Sequence, residues 1–164
     1  TDRKERAYLI NHFLEQFRTT LYRQTMFAEF ELKMSEIVES GRPLTADELC
    51  RIYHQLNAEY YGDSTVIDGG IDMEWARIPH FFMNFYVFQY ATGFSAAMAL
   101  SQRILNGGGQ AVKDYLGFLS GGCSKKPIEL LRGAGVDMTS PEPIKTALDT
   151  FGKLLDEFEE LMKD

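Results

Sequence analysis

Cysteine and histidine are scarce in this chain of 164 residues: there are two cysteines, Cys50 and Cys123, and three histidines. Two cysteines are too few for a disulfide scaffold, and they read as reduced thiols of a cytoplasmic protein. Neither lies in a CxxC pair, no histidine opens an HExxH motif, and no Glu-x-x-His pair is present, so the chain carries no zinc knuckle and no di-iron set. Basic charge is also short. Lys+Arg is 17 against 24 Asp+Glu, a net charge of −7. That balance excludes a nucleic-acid footprint and disfavours docking on an anionic membrane. There is no Asn-x-Ser/Thr site and no GxSxG, and because Thr1–Arg6 is polar and charged with no apolar run after it, no signal peptide is expected in this stretch. The triple glycine at 107–109 lacks a GxGxxG continuation and follows a helical pattern, so it reads as a helix end and turn. No segment alternates as a strand would, and no repeat of 20–50 residues is present.

What remains is a soluble globular composition, 45% hydrophobic and 25% charged, with 13% aromatic residues. One stretch departs from it. From Ile78 to Gln102 there is no formal charge, a length that could cross a bilayer. Polar Asn84, Gln89, Thr92, Ser95 and Ser101 interrupt it, and no basic cluster flanks it. It therefore reads as a helix apolar all round because other helices cover it.

The rest is helical by spacing. Apolar residues recur at three and four from Ile10 to Val38, predicting helix over Arg3–Ser40 with a break near Thr19–Thr20. Thr45 and Glu48 form a capping box for a helix ending at Gly62, with Leu49, Ile52, Tyr53, Leu56 and Tyr60 inward. Residues 62–79 read as irregular, with Trp75 as anchor and Pro79 turning Ile78 away from helix. The uncharged helix is expected from Met83 to Leu105, and shorter helices over 110–119 and from Pro127. A last helix follows Ser140-Pro141, with an acidic wet face at Asp156, Glu157, Glu159 and Glu160. The expectation is one all-α domain spanning 1–164.

Little chemistry stands out. Gly121–Pro127 could form an anion nest before a helix, but a turn is the favoured reading. Cys123 has only Lys125 and Lys126 as activators. The informative segment runs from His80 to Gly93. On a helix, Tyr86 and Tyr90 stand at i and i+4 and share a face, which Gly93 and Ala97 continue with almost no side chain. Phenols are hydrogen-bond donors and can stabilise an oxyanion, with His80 as a third donor. An aromatic core with satisfied hydroxyls is the other reading of the same spacing.

Four stretches resemble the C-terminal part of the oligoendopeptidase F family, zinc peptidases related to thimet oligopeptidase. They are Thr1–Arg6, TLYRQTMFAEFE (20–31), WARIPHFFMNFYVFQYATGFSAA (75–97) and PIELLRGAGVDM (127–138). The resemblance implies the C-terminal half of a zincin-type, all-α fold with a channel that admits short peptides. It places zinc on an upstream HExxH and a downstream Glu, outside this chain, where the motif's own Glu activates a zinc-bound water. It implies that His80 and Tyr86 serve the tetrahedral intermediate and that Tyr90 and Gly93 contact substrate. The relatives carry a further Tyr where this chain has Gly93.

The expectation is then a C-terminal fragment, inert without its missing N-terminal part, with short peptides as substrates, no metal ligands of its own and a cytoplasmic location. A start at Thr1 rather than Met fits a piece of something longer. The alternative is a free-standing helical interaction module with buried tyrosines and no groove.

Overall fold

The computed structural model describes residues 2–163, and Thr1 and Asp164 lie outside the described residues. Among these, every regular element is helical. The order is α1 (Arg3–Gln16), a π-helical segment (Phe17–Tyr22), α2 (Arg23–Glu39), α3 (Ala46–Tyr61), two 3-10 segments (Gly69–Arg77 and Pro79–Met83), α4 (Phe88–Ser120), α5 (Pro127–Gly133) and α6 (Glu142–Met162). The chain forms two compact units. One holds the chain up to Leu21 and again from Thr92, and the other holds Tyr22–Ala91.

In the first unit, α1 packs along α6. Ala7, Ile10 and Leu14 are buried on α1. Phe17 is fully buried, with its ring 5.2 Å from Phe13, 4.9 Å from Phe94 and 5.5 Å from Phe151. These tilted and edge-on contacts are the geometry that aromatic quadrupoles favour. Arg3 closes the far end, donating from Nε to the Leu161 carbonyl at 2.8 Å and from Nη2 to the Glu160 carbonyl at 3.2 Å. A cation there satisfies carbonyls that α6 leaves unpaired. Of the expected wet acidic face, Asp156, Glu159 and Glu160 are exposed, while Glu157 is half-buried and pairs with Arg6. A second apolar cluster joins Ala96, Ala99 and Leu100 of α4 to Ala134 and Val136 beyond α5.

The second unit is built on α2 and α3. Met26, Phe27, Phe30 and Ile37 meet Leu49, Ile52, Tyr53 and Leu56, and Ile78 and Val87 close the core. The capping residue acts as its spacing predicts: Thr45 Oγ1 accepts from the Glu48 amide at 3.3 Å. Gly62, at φ 71°, ends α3.

Three expectations need correction. The irregular stretch 62–79 contains a 3-10 segment, held because Asp68 accepts from the Gly70 amide at 2.6 Å. The uncharged helix begins at Phe88 instead of Met83, because Asn84 and Phe85 take left-handed backbone (φ 49° and 53°). It is also not covered all round: Phe88, Tyr90 and Leu105 are exposed. The expected glycine break, by contrast, is present: Gly108 takes non-helical backbone (φ 64°, ψ −155°) and kinks the run into two helical stretches, the second reaching Ser120. No helix among the described residues is long and apolar enough to cross a membrane.

Candidate functional site

Pro79 forces Ile78 into extended backbone (φ −92°, ψ 98°) and opens a single 3-10 turn. Phe81 drops from that turn against Phe27 and Phe30, at ring distances of 5.5 and 5.3 Å. His80 is left half-buried beside it. The chain then reverses through Asn84 and Phe85. Two consecutive non-glycine residues in the left-handed region cost roughly 1–2 kcal/mol each, so something must hold them. The Phe85 amide donates to Glu31 Oε1 at 2.5 Å, and Val87, two residues on, is fully buried in the core. Tyr86 lies between these anchors.

Tyr90 stands in the first turn of α4, its amide donating to the Val87 carbonyl at 3.2 Å. The result is a cluster of three rings. His80 and Tyr86 stack at 5.7 Å with planes 19° apart. Tyr90 meets both edge-on, at 5.9 Å from His80 and 5.6 Å from Tyr86. The Tyr90 hydroxyl lies 3.3 Å from His80 Nε2. Hydrogen bonding with Tyr86, then desolvation, holds the Tyr90 phenol above its ordinary value. It therefore keeps its proton at neutral pH and remains a donor.

The three residues singled out by spacing do cluster, but not by the route the spacing implied. Tyr86 precedes the helix, and a chain reversal, not an i,i+4 face, presents it to Tyr90. The rings are not sealed in: His80 and Tyr86 are half-buried and Tyr90 is 37% exposed. Gly93 belongs to the other unit. It is exposed, a methyl added there would meet nothing within 4 Å, and it lines a cavity of about 360 Å³ with Ala96, Ala97, Leu100 and Phe118.

Two carboxyls escaped the sequence reading. Glu31 is only 5% exposed, and Glu74 is buried among Tyr53, Arg23 and Arg77. A signal for Glu31 existed. It stands four residues after Phe27 and three before Met34, in the register of the buried face of α2. A carboxyl at such a position has a buried partner or a cost.

Among the described residues no three His, Cys, Asp or Glu gather as a metal site.

The family model of peptidase family M3 matches residues 1–150. Oligopeptidase PepF of Bacillus subtilis (strain 168) is 55% identical over 161 residues, covering 98% of this chain and 24% of that protein. Oligoendopeptidase F (chromosomal) of Lactococcus lactis subsp. cremoris is 44% identical over 162 residues, covering 99% of this chain and 27% of that protein. The crystal structure of oligoendopeptidase-F from Enterococcus faecium superimposes with a TM-score of 0.95 at 49% identity, covering 99% of this chain and 31% of that one. The chain spans about a quarter of the length of the curated relatives it matches.

Proposed function

The chain belongs to peptidase family M3, and from that premise we propose that it is the C-terminal part of a bacterial zinc oligoendopeptidase that hydrolyses short peptides in the cytoplasm. Zinc and its ligands belong to the part of the protein outside this chain. The contribution of residues 1–164 is a set of hydrogen-bond donors and a wall for the peptide.

The observation that carries this reading is the convergence of His80, Tyr86 and Tyr90, none of them fully buried. Tyr86 donates to the carbonyl oxygen that becomes anionic in the tetrahedral intermediate. His80 supplies the second donor, its ring orientation held by the stack on Tyr86. A donor fixed before the reaction needs no reorganisation as charge develops, which is the source of its catalytic worth. Tyr90 contacts the substrate. Gly93, with no side chain, leaves the helix surface open beside the shallow cavity it lines.

A free-standing interaction module calls for buried tyrosines. The exposed edge of Tyr90 and the exposure of neighbouring Phe82, at 88%, fit a surface that the rest of a larger protein covers. By itself the chain is inert, since donors supply no nucleophile.

The test is steady-state cleavage of a quenched fluorescent peptide. Tyr86→Phe in the full-length enzyme is expected to lower kcat by on the order of 10² to 10³. The isolated 164-residue chain, with zinc added, is expected to show no turnover. An unchanged kcat in the variant removes Tyr86 from the mechanism, and efficient turnover by the isolated chain overturns the fragment reading.

A further inference from the structure

We propose that Glu31 is a positioning residue for the donor cluster: its buried carboxyl holds the left-handed Asn84–Phe85 reversal that presents Tyr86 to His80. This rests on the catalytic reading of Tyr86, but the geometry stands by itself. Glu31 is 5% exposed on α2, and its Oε1 accepts the Phe85 amide at 2.5 Å across 54 positions of sequence. That amide is the last polar anchor before Tyr86. On the other side, Val87 is fully buried. Tyr86 therefore has one apolar and one polar tether, a single residue away on each side.

The backbone supplies the reason a tether is needed. Asn84 at φ 49° and Phe85 at φ 53° occupy the region that L residues avoid, and neither is glycine. Asparagine tolerates it and phenylalanine does not. Strained backbone of this kind persists only where its surroundings over-determine it, and it concentrates at functional sites. Without an acceptor at Glu31, the Phe85 amide is left without this partner and the reversal relaxes towards ordinary backbone. Tyr86 then loses its 19° stack on His80. A glutamine retains a carbonyl oxygen at the same reach, whereas alanine retains nothing.

The test uses the full-length enzyme with Glu31→Ala, Glu31→Gln, Tyr86→Phe and the double variant Glu31→Ala/Tyr86→Phe. Glu31→Ala is expected to lower kcat at least tenfold with KM within threefold, and Glu31→Gln to stay within threefold of the parent in both. In the Tyr86→Phe background, Glu31→Ala is expected to add less than a twofold further loss, because it acts through a hydroxyl already removed. A full additional tenfold loss in that background overturns the positioning role, as does an unchanged kcat in Glu31→Ala beside a depressed one in Tyr86→Phe. If Tyr86→Phe itself leaves kcat intact, the catalytic reading fails instead. Glu31 is then judged by fluorotyrosine placed at position 86: its fluorine resonance is expected to shift or broaden in Glu31→Ala and to hold in Glu31→Gln. A resonance unmoved in both refutes the tether.

Discussion

The Tyr53 hydroxyl donates to Glu74 Oε2 at 2.6 Å, with the Tyr53 ring fully buried. That bond ties the middle of α3 to the 3-10 segment leading towards His80. The other oxygen of Glu74 accepts from Arg23 at 2.5 Å and also pairs with Arg77. Arg23 in turn lies over the Phe27 ring, 4.9 Å from its centre. One carboxyl therefore gathers α2, α3 and the segment Gly69–Arg77, whose Ile71 and Trp75 also pack against the core.

Removing that carboxyl is expected to destabilise the chain more than removing any one partner. Glu74→Ala leaves a buried phenol without an acceptor and Arg23 without its counter-charge. Because both arginines retain some solvent contact, the expected loss is about 2–4 kcal/mol, below that of a fully buried pair. Tyr53→Phe removes only the donor, and about 1–2 kcal/mol is expected. Denaturant unfolding of the 164-residue chain measures both. An ordering with Tyr53→Phe the more damaging would show that the ring environment, not the carboxyl, holds the segment.

The same contacts set the pH range of stability. Burial pushes the Glu74 carboxyl up, but hydrogen bonds from Tyr53 and Arg23 and the charges of Arg23 and Arg77 outweigh it. The net position is below the usual 4.5. Asp137, bonded by Arg132 and by Thr139, also lies below its usual 3.8. Groups depressed in the folded chain contribute stability above their ordinary values and lose it as pH falls through the folded ones. At the other end, burial first and the hydrogen bond to Glu29 second push Tyr60 from 10.0 up to about 12. Tyr53 is raised as well, by burial and then by Glu74. Their contribution is complete below pH 10 and is lost as pH rises towards 12. Melting temperature should therefore be flat between about pH 4.5 and 10 and fall on both sides. Glu74→Gln should shallow the acid limb, and Tyr60→Phe the alkaline one. A single-sided profile unaffected by either change contradicts this.

Much of the helical order was readable because caps and breakers are local. Thr45, Gly62 and Pro127 act through their own backbone neighbours, and each stands at a helix boundary in the structure. The break near Thr19–Thr20 was equally visible. Nearly forty residues is long for one helix, and the chain answers with π-helical turns over Phe17–Tyr22, Thr19 Oγ1 donating back to the Glu15 carbonyl at 2.8 Å. The reversal at Asn84–Phe85 was not readable. In His-Phe-Phe-Met-Asn-Phe-Tyr only Asn84 leans towards left-handed backbone, and nothing marks Phe85, whose amide is held by Glu31 on α2, more than fifty positions away. A helix was the economical expectation, and long-range pairing overrode it. The cluster residues were nonetheless identifiable by chemistry, because polar aromatic groups in an uncharged run are conspicuous whatever the backbone does.

Tyr90 separates binding from chemistry. If it contacts substrate and Tyr86 carries the oxyanion, Tyr90→Phe in the full-length enzyme raises KM several-fold and leaves kcat within about threefold. The Tyr90 hydroxyl also touches His80 Nε2 at 3.3 Å, a long contact that limits how much His80 depends on it. A large fall in kcat with KM unchanged would move Tyr90 into the machinery and make its bond to His80 the reason.

Gly135 offers a case where two effects compete and can be told apart. It sits at φ 80° just past α5, its amide bonded to the Arg132 carbonyl at 3.0 Å, while the Val136 amide reaches the Leu131 carbonyl at 2.9 Å. This is the glycine-closed helix end that a left-handed residue makes possible. A methyl group at 135 would also run into the Arg103 guanidinium. Arg103 is the far end of a flexible side chain, held by Asp114 only at 3.7 Å, and it can swing aside. The backbone cannot. Gly135→Ala is therefore expected to cost about 1–2 kcal/mol, nearly all of it from the positive φ. Arg103→Ala/Gly135→Ala should cost almost the same relative to Arg103→Ala alone, as read from paired unfolding midpoints at equal m-value. Recovery of most of the loss in the Arg103→Ala background would show instead that the guanidinium, and not the helix end, demands glycine.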